Sequence, residues 1–268
     1  MADEHVLANT DKVLYEVEDN LAKVTINRPE KMNAMDPETY AALSEAWIRI
    51  RDDPDVWAAI VTGAGERAFS AGADLEATIT PGEDEWDAFF RTQEEMILNN
   101  GLEVWKPIIA AVNGYCLAGG LTLLLATDVR IAGTGASFGL SEVKRGILPG
   151  NGGTQRTIRQ LPYPIAMEFL LTGDRVGSEE AERWGLVNEV VPPGEVMETA
   201  EEYAARILTN APLAVQAIKE LAVRGRNMAL PDAIRLEESF GRHLRETEDA
   251  SEGVEAFRED REAEFRGK

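Results

Sequence analysis

Two runs constrain this chain more than any other feature: VWAAIVTG at 56–63 and KPIIAAVNG at 106–114. Each is apolar at nearly every position and stops at glycine. A strand with one wet face alternates apolar and polar residues. A strand that is apolar throughout is buried on both faces, the usual condition inside a parallel sheet. Such a sheet needs helical crossovers, and the sequence just before the first run supplies one. Asp36 followed by Pro37 reads as an N-cap and first-turn proline. The helix that follows places Tyr40, Leu43, Trp47 and Ile50 on one face and stops near RDDPD.

The remainder extends this pattern. Val13–Val17 and Ala22–Ile26 read as strands joined by the turn-prone EDN, and Val129–Ala132 and LVNEVV (186–191) as two more. A long helix is expected over roughly 84–104, with Trp86, Phe90 and Ile97 inward. In NGYCLAGGLTLLLATD (113–128) a glycine pair opens a short apolar helix carrying one polar residue, Thr122. SFGLSEVKRGILPGNGGTQR is a long glycine-punctuated segment, with helices after it to about Gly173. Beyond PPGE (192–195), helical periodicity takes over: Val196–Leu208, Leu213–Val223, Ala233–Leu244 and Gly253–Phe265. The expectation is an α/β chain with a core over 1–194 and a helical C-terminal region over 195–268.

Composition removes several function classes. With 48 acidic and 27 basic side chains, the net charge of −21 disfavours nucleic acid and anionic membranes as partners. The longest nearly apolar run, Leu117 to Ala126, is half a membrane span. The N-terminal MADEHVLANTDK is acidic and polar, unlike a targeting leader, so a cytoplasmic location is expected. A single cysteine, Cys116, permits neither an internal disulfide nor a cysteine metal cluster, and reads as a small buried residue. Two histidines, His5 and His243, give no metal spacing. No nucleophile elbow and no phosphate loop occur, and GAGERA misses the dinucleotide glycine pattern at its last position. Chemistry is left to carboxylates, hydroxyls and backbone amides.

Two segments are rich in unobstructed amides: GERAFSAGADL, and GYCLAGGL at a helix start. Two such N–H groups converging on one oxygen form an oxyanion hole. The alternative is that the small residues serve only close packing.

RAFSAGADL, KPIIAAVNGYCLAGG, FGLSEVKRGILPGNGGTQR and FLLTGDRVGSEEAERWGLVNEVV, in this order and spacing, resemble the crotonase family of enoyl-CoA hydratases and isomerases. The resemblance runs from about residue 12 to 260 and is densest over 66–75, 106–120, 138–156 and 169–191. It implies a crotonase-like spiral of ββα units with C-terminal helices that assemble a homotrimer or a hexamer. It also implies an acyl-CoA substrate and no cofactor beyond the coenzyme A thioester. The implied oxyanion donors are the N–H groups of Ala71 and Gly119; alanine at 118, where many relatives have glycine, leaves the donor at 119 in place. The implied CoA contacts are Lys31, Met32, Ala34, Arg67, Ala68, Ala71, Ala73 and Asp74. Asp260 stands where some relatives carry a lysine, so no contact is assigned there.

The hydratases of that family use two glutamates. One matches Glu142; the other matches Thr122. Glu142 facing an apolar pocket would have a raised pKa suited to proton exchange near neutrality. Thr122 is a candidate for positioning water or substrate, or else a residue that lines the pocket. A surface salt bridge from Glu142 to Lys144 or Arg145 is the plain alternative for that carboxylate. Three functions fit: a hydratase/isomerase working through Glu142; a relative such as a carnitinyl-CoA dehydratase-like or hydroxycinnamoyl-CoA hydratase-lyase-like enzyme; or an acyl-CoA-binding pseudoenzyme. Acyl selectivity is expected to reside near residues 75–100.

Overall fold

The computed structural model describes residues 10–74, 77 and 97–268. The continuous apolar strands form, and their composition has a geometric cause. Strand β3 (Ala58–Gly63) is buried at every position, as is β5 (Ile108–Val112). Alternate residues enter two different cores. Ala59, Val61, Ile108 and Ala110 join the larger one, while Ile60, Ile109 and Ala111 join a smaller one on the other face. Each fully buried aliphatic side chain contributes about 1.5–3 kcal/mol, so both faces must be apolar.

Six strands make the larger sheet, in the order β1-β2-β3-β5-β7-β10. Here β1 is Val13–Glu18, β2 Leu21–Ile26, β7 Val129–Gly133 and β10 Glu189–Val191. The first pair is antiparallel, and the others are parallel. Asp19 and Asn20 join the first pair with φ of 48° and 65°, the backbone of a type I′ turn. The second sheet holds β4 (Ala68–Ser70), β6 (Tyr115–Leu117), β8 (Ser137–Gly139) and β9 (Val176–Gly177), in that order. Successive segments therefore place one strand in each sheet, β3 then β4, β5 then β6, β7 then β8. This is the winding of a ββα spiral.

Helix α1 (Pro37–Asp52) is capped as expected: Asp36 Oδ1 accepts from the Thr39 N–H at 2.8 Å. Leu43, Trp47 and Ile50 are buried, and Tyr40 is half-buried. Among the described residues the further α-helices bounded at both ends are α2 (Gly119–Leu124), α3 (Gly153–Gln160), α4 (Tyr163–Thr172), α5 (Ser178–Arg183), α6 (Val196–Leu208), α7 (Pro212–Gly225), α8 (Leu230–Leu244) and α9 (Glu248–Glu259).

Four expectations change. Residues 115–117 are a strand before the helix starts at Gly119. Within the helix expected over 84–104, Ile97 is extended and Leu98–Asn100 form a 3₁₀ turn; Ile97 is buried as expected, and Trp86 and Phe90 lie outside the described residues. The last helix is Glu248–Glu259, stopped by left-handed Asp260, and the tail folds back so that the Arg266 and Gly267 N–H groups donate to Asp249. Finally, 194/195 is not a packing boundary. Helix α6 sets Val196, Ala200 and Ala204 against Ile60, Ile109 and Ile131, so it closes the second face of the sheet and belongs to the core.

One residue ties the turn before α1 to the sheet. Asn33 is fully buried with φ 55°, a left-handed backbone that asparagine tolerates. Its Nδ2 donates to the Ala64 and Ala68 carbonyls at 3.0 and 2.7 Å, and its Oδ1 accepts from the Arg28 N–H at 3.0 Å. Its own carbonyl accepts from Ser70 Oγ at 2.8 Å. Asn33→Ala strands three backbone groups, one in a buried and two in partly buried hydrogen bonds, each costing up to about 1–3 kcal/mol. Urea denaturation is expected to show a loss of about 3 kcal/mol or more. A loss below about 1 kcal/mol would mean that the knot is not what holds this turn.

Candidate active site

The two amide-rich segments meet. Loop 71–74 runs beside Met32–Met35, with Met35 N–H donating to the Gly72 carbonyl (2.8 Å) and Asp74 N–H to the Met35 carbonyl (2.9 Å). Ala71 N–H donates to the Met32 carbonyl at 3.0 Å. The expected donor at Ala71 is therefore already spent. The alternation along this extended stretch turns the Ala73 N–H away from Met35, and it has no acceptor among the described residues.

The facing wall is the start of α2. Ala118 N–H donates to the Gly139 carbonyl at 2.8 Å, while Gly119 N–H has no acceptor among the described residues. A Cβ built on Gly119 would lie 3.3 Å from Ala73 N, 3.3 Å from Gly72 Cα and 3.1 Å from Tyr40 Oη. One built on Gly72 would lie 2.7 Å from Gly119 N. Two unpaired amides thus border one narrow gap, and the residues are Gly119 and Ala73. The correction from Ala71 to Ala73 rests on which neighbour consumes which N–H.

Glu142 follows from the same wall. It sits in a 3₁₀ turn, Ser141–Arg145, three residues after the Gly139 that holds Ala118. Its Oε2 is buried without a hydrogen-bond partner. Burial pushes its carboxyl above the usual glutamate range, opposed in part by its own backbone N–H and by Arg145. Neither basic neighbour forms the salt bridge considered from sequence: Lys144 pairs with Asp174 at 2.6 Å, and Arg145 donates to the Ser141 carbonyl and Oγ.

Thr122 does not present a free hydroxyl. It is 2% exposed; its O–H donates to the Gly119 carbonyl at 2.9 Å, and its oxygen accepts from Asn99 Nδ2 at 2.9 Å. A Cβ on Gly153 would lie 2.7 Å from the Thr122 methyl. The side chain is a strut between the donor segment and two neighbours, which suits the expected lining role better than that of a free hydroxyl positioning water or substrate.

The expected ligand contacts separate into two groups. Lys31 and Arg67 are at the surface and Met32 is partly so, all on segments leading into the gap. Ala34 and Ala71 are partly exposed beside them. Ala68 is buried in β4 and its carbonyl is taken by Asn33, so it presents nothing to a ligand. Asp74 pairs with Arg28 at 3.2 Å and holds the loop. The Cys116 thiol is fully buried, which pushes its pKa up. Among the described residues, no cluster of histidine, cysteine and carboxylate side chains is placed to hold a metal ion, and no helix is long and apolar enough to cross a membrane.

Known proteins resemble this chain in sequence and share its fold. The model of the enoyl-CoA hydratase/isomerase family matches residues 16–268. The chain belongs to the enoyl-CoA hydratase/isomerase family. It is 46% identical over 255 residues to (E)-benzylidenesuccinyl-CoA hydratase of Thauera aromatica, covering 95% of this chain and 99% of that enzyme. It is 43% identical to carnitinyl-CoA dehydratase of Salmonella arizonae, covering 92% and 95%. The crystal structure of enoyl-CoA hydratase from Bacillus anthracis superposes with a TM-score of 0.88 at 34% identity, over 96% of this chain and all of that one. That of enoyl-CoA hydratase from Mycobacterium tuberculosis does so with 0.86 at 36%, over 97% of this chain and all of that one. The chain is thus a hydratase/isomerase-type enzyme with the crotonase fold.

For this enoyl-CoA hydratase/isomerase family member, the orphaned carboxyl has a measurable consequence. A glutamate whose folded pKa is raised costs stability once pH exceeds its ordinary value of 4.5. The penalty grows from there up to the raised pKa and is then constant. Glu142→Gln is expected to melt above the parent at pH 7 and level with it below about pH 4. A lower melting temperature at pH 7 would mean that the carboxylate is paired in the native protein.

Proposed function

We propose that this enzyme interconverts an α,β-unsaturated acyl-CoA and its 3-hydroxyacyl form, with Glu142 as the single proton carrier. The observation that carries the reading is the pair of unpaired amides at Gly119 and Ala73, with a desolvated carboxyl on the segment that holds their wall in place. A thioester oxygen in the gap accepts both N–H groups, and its carbonyl is polarised. Negative charge that develops on that oxygen as the α-carbon loses or gains a proton is stabilised by donors already in position.

Hydration balances with one carboxyl. Water oxygen bonds to the β-carbon while one of its protons passes to the Glu142 carboxylate. The enolate then takes a proton at the α-carbon from the glutamic acid. Dehydration is the reverse. The relatives named as a hydratase and a dehydratase support both directions as readings for this chain. Proton transfer between two carbons of an unsaturated acyl chain is the second reading, since it too needs only one carboxyl. A pseudoenzyme would have no use for a carboxyl kept buried and unpaired, at a cost in stability.

CoA is proposed to leave the gap past Lys31, Met32, Ala34 and Arg67, with no further cofactor. A cytoplasmic homotrimer or hexamer is also proposed. Ile218, Val223, Met228, Leu230 and Ile234 on α7, α8 and the link between them are exposed apolar residues that an assembly would cover. Light scattering checks the assembly.

A panel of enoyl-CoA and 3-hydroxyacyl-CoA esters, read by mass spectrometry, identifies the substrate. On the ester that turns over fastest, Glu142→Gln is expected to lower kcat by about 10³-fold and leave binding within a few-fold. Gly119→Ala, which pinches the gap, is expected to lower kcat/KM by about 10²-fold. Retention of a tenth of the parent rate by Glu142→Gln would place the proton carrier elsewhere.

A further inference from the structure

Asn99 is buried, 4% exposed, on the 3₁₀ turn that packs against α2. Its amide orientation is determined by its neighbour. The Thr122 proton is committed to the Gly119 carbonyl, so toward Asn99 the Thr122 oxygen can only accept. Asn99 must turn its Nδ2 to Thr122, at 2.9 Å, and its Oδ1 away. That Oδ1 accepts nothing from the described residues.

The asparagine is part of the wall of a small cavity otherwise lined by Met35, Tyr40, Leu43, Trp47, Ile97 and Leu123. This cavity adjoins the amide gap. Tyr40 Oη reaches within 3.1 Å of where a Gly119 Cβ would stand, Met35 is hydrogen-bonded to Gly72, and Leu123 is on α2. The Asn99 oxygen keeps contact with solvent rather than being sealed among apolar side chains, so a water molecule can reach it and donate to it.

The main chain of the asparagine is fixed. Arg156 Nη1 donates to its main-chain carbonyl at 2.8 Å and to that of Asn151 at 3.1 Å, and Asn100 Nδ2 donates to Asn151 Oδ1 at 3.0 Å. The turn is thereby clamped to the glycine-rich loop that descends from Glu142.

We propose that Asn99 is the water-positioning residue: its Oδ1 accepts a hydrogen bond from the attacking water, or from the 3-hydroxyl in the reverse direction. A carboxamide does not take up a proton at neutral pH. Asn99 therefore orients the oxygen and Glu142 alone carries the proton. The water oxygen bonds to the β-carbon, its proton goes to Glu142, and Glu142 returns one to the α-carbon. Thr122, which fixes the amide's orientation, acts on the reaction through Asn99.

This inference rests on the hydration reading, and its test keeps the two apart. Two rates are measured on the whole protein: hydration of the enoyl-CoA ester the parent accepts, and exchange of α-protons of the matching saturated acyl-CoA in heavy water. Exchange needs only the amides and Glu142. Asn99→Leu is expected to lower hydration kcat by about 10²-fold, with α-exchange within about three-fold and KM within a few-fold. Asn99→Asp introduces a second ionisable group, and its kcat profile is expected to gain a pH limb absent from the parent. Thr122→Val, which frees the amide to flip and also releases the Gly119 carbonyl, is expected to lower both rates, hydration by about ten-fold more than α-exchange. Equal loss of both rates in a folded Asn99 variant, or no loss of hydration, overturns the proposal. A parent that exchanges α-protons but hydrates no ester overturns the hydration reading and this inference with it.

Discussion

The site depends on one backbone crossing. Loop 71–74 lies against Met32–Met35 closely enough to exchange three hydrogen bonds: Ala71 to Met32, Met35 to Gly72 and Asp74 to Met35. Those bonds consume the amides of 71 and 74 and leave that of 73. Asn33 sets the approach, because its carboxamide ties Ala64, Ala68 and Arg28 to one buried point. Gly63 is required beneath it, since a Cβ there would lie 2.5 Å from Asn33 Nδ2 and 2.3 Å from the Phe69 carbonyl. The oxyanion donor proposed at Ala73 is therefore a remainder: it is the N–H that the fold does not use.

Charge holds the same crossing from outside. Arg28 reaches Asp74 at 3.2 Å and Asp36 at 3.3 Å, and Lys12 reaches Asp36 at 2.7 Å. Burial works against ionised Asp36, yet Lys12, Thr39 and Arg28 hold its carboxyl at about 2. Its contribution is present at neutral pH and is lost as pH falls from its ordinary value of 3.8 through about 2. The helix cap and the active-site loop thus share one set of charges in a chain that otherwise carries a large negative excess.

Legibility followed burial. The strands of the large sheet could be read because residues on both faces are apolar, as in Ala59 and Ile60. The small sheet could not, because strands of two or three residues carry no period. Glu142 stood out in its motif, and so did Gly119. The choice between Ala71 and Ala73 was invisible, since both are alanines in FSAGAD and only the pairing with Met32 and Met35 separates them. Asn33 and Asn99 were missed for a related reason. NRPEKMNAMD and LNNG announce turns, but the partners that make these asparagines important lie 31, 35 and 23 residues away.

Ala118 shows how tightly the donor walls constrain each other. Its backbone, φ 48° and ψ −120°, is a region that favours glycine, so an alanine there is strained, at about 1–3 kcal/mol. The surroundings over-determine it. Its N–H is held by Gly139, its carbonyl accepts from Thr122 N–H at 3.0 Å, and Thr122 pins the next carbonyl through its hydroxyl. The alanine methyl then fills the space that a side chain at position 72 would need: a Gly72 Cβ would lie 2.8 Å from it and 2.7 Å from Gly119 N. Glycine at 72 is thus required three times, by its φ of 94°, by the methyl of Ala118 and by the open face of the Gly119 amide. The width of the gap is set by atoms that cannot move without breaking a hydrogen bond, which is how a site built from backbone keeps its donors preorganised.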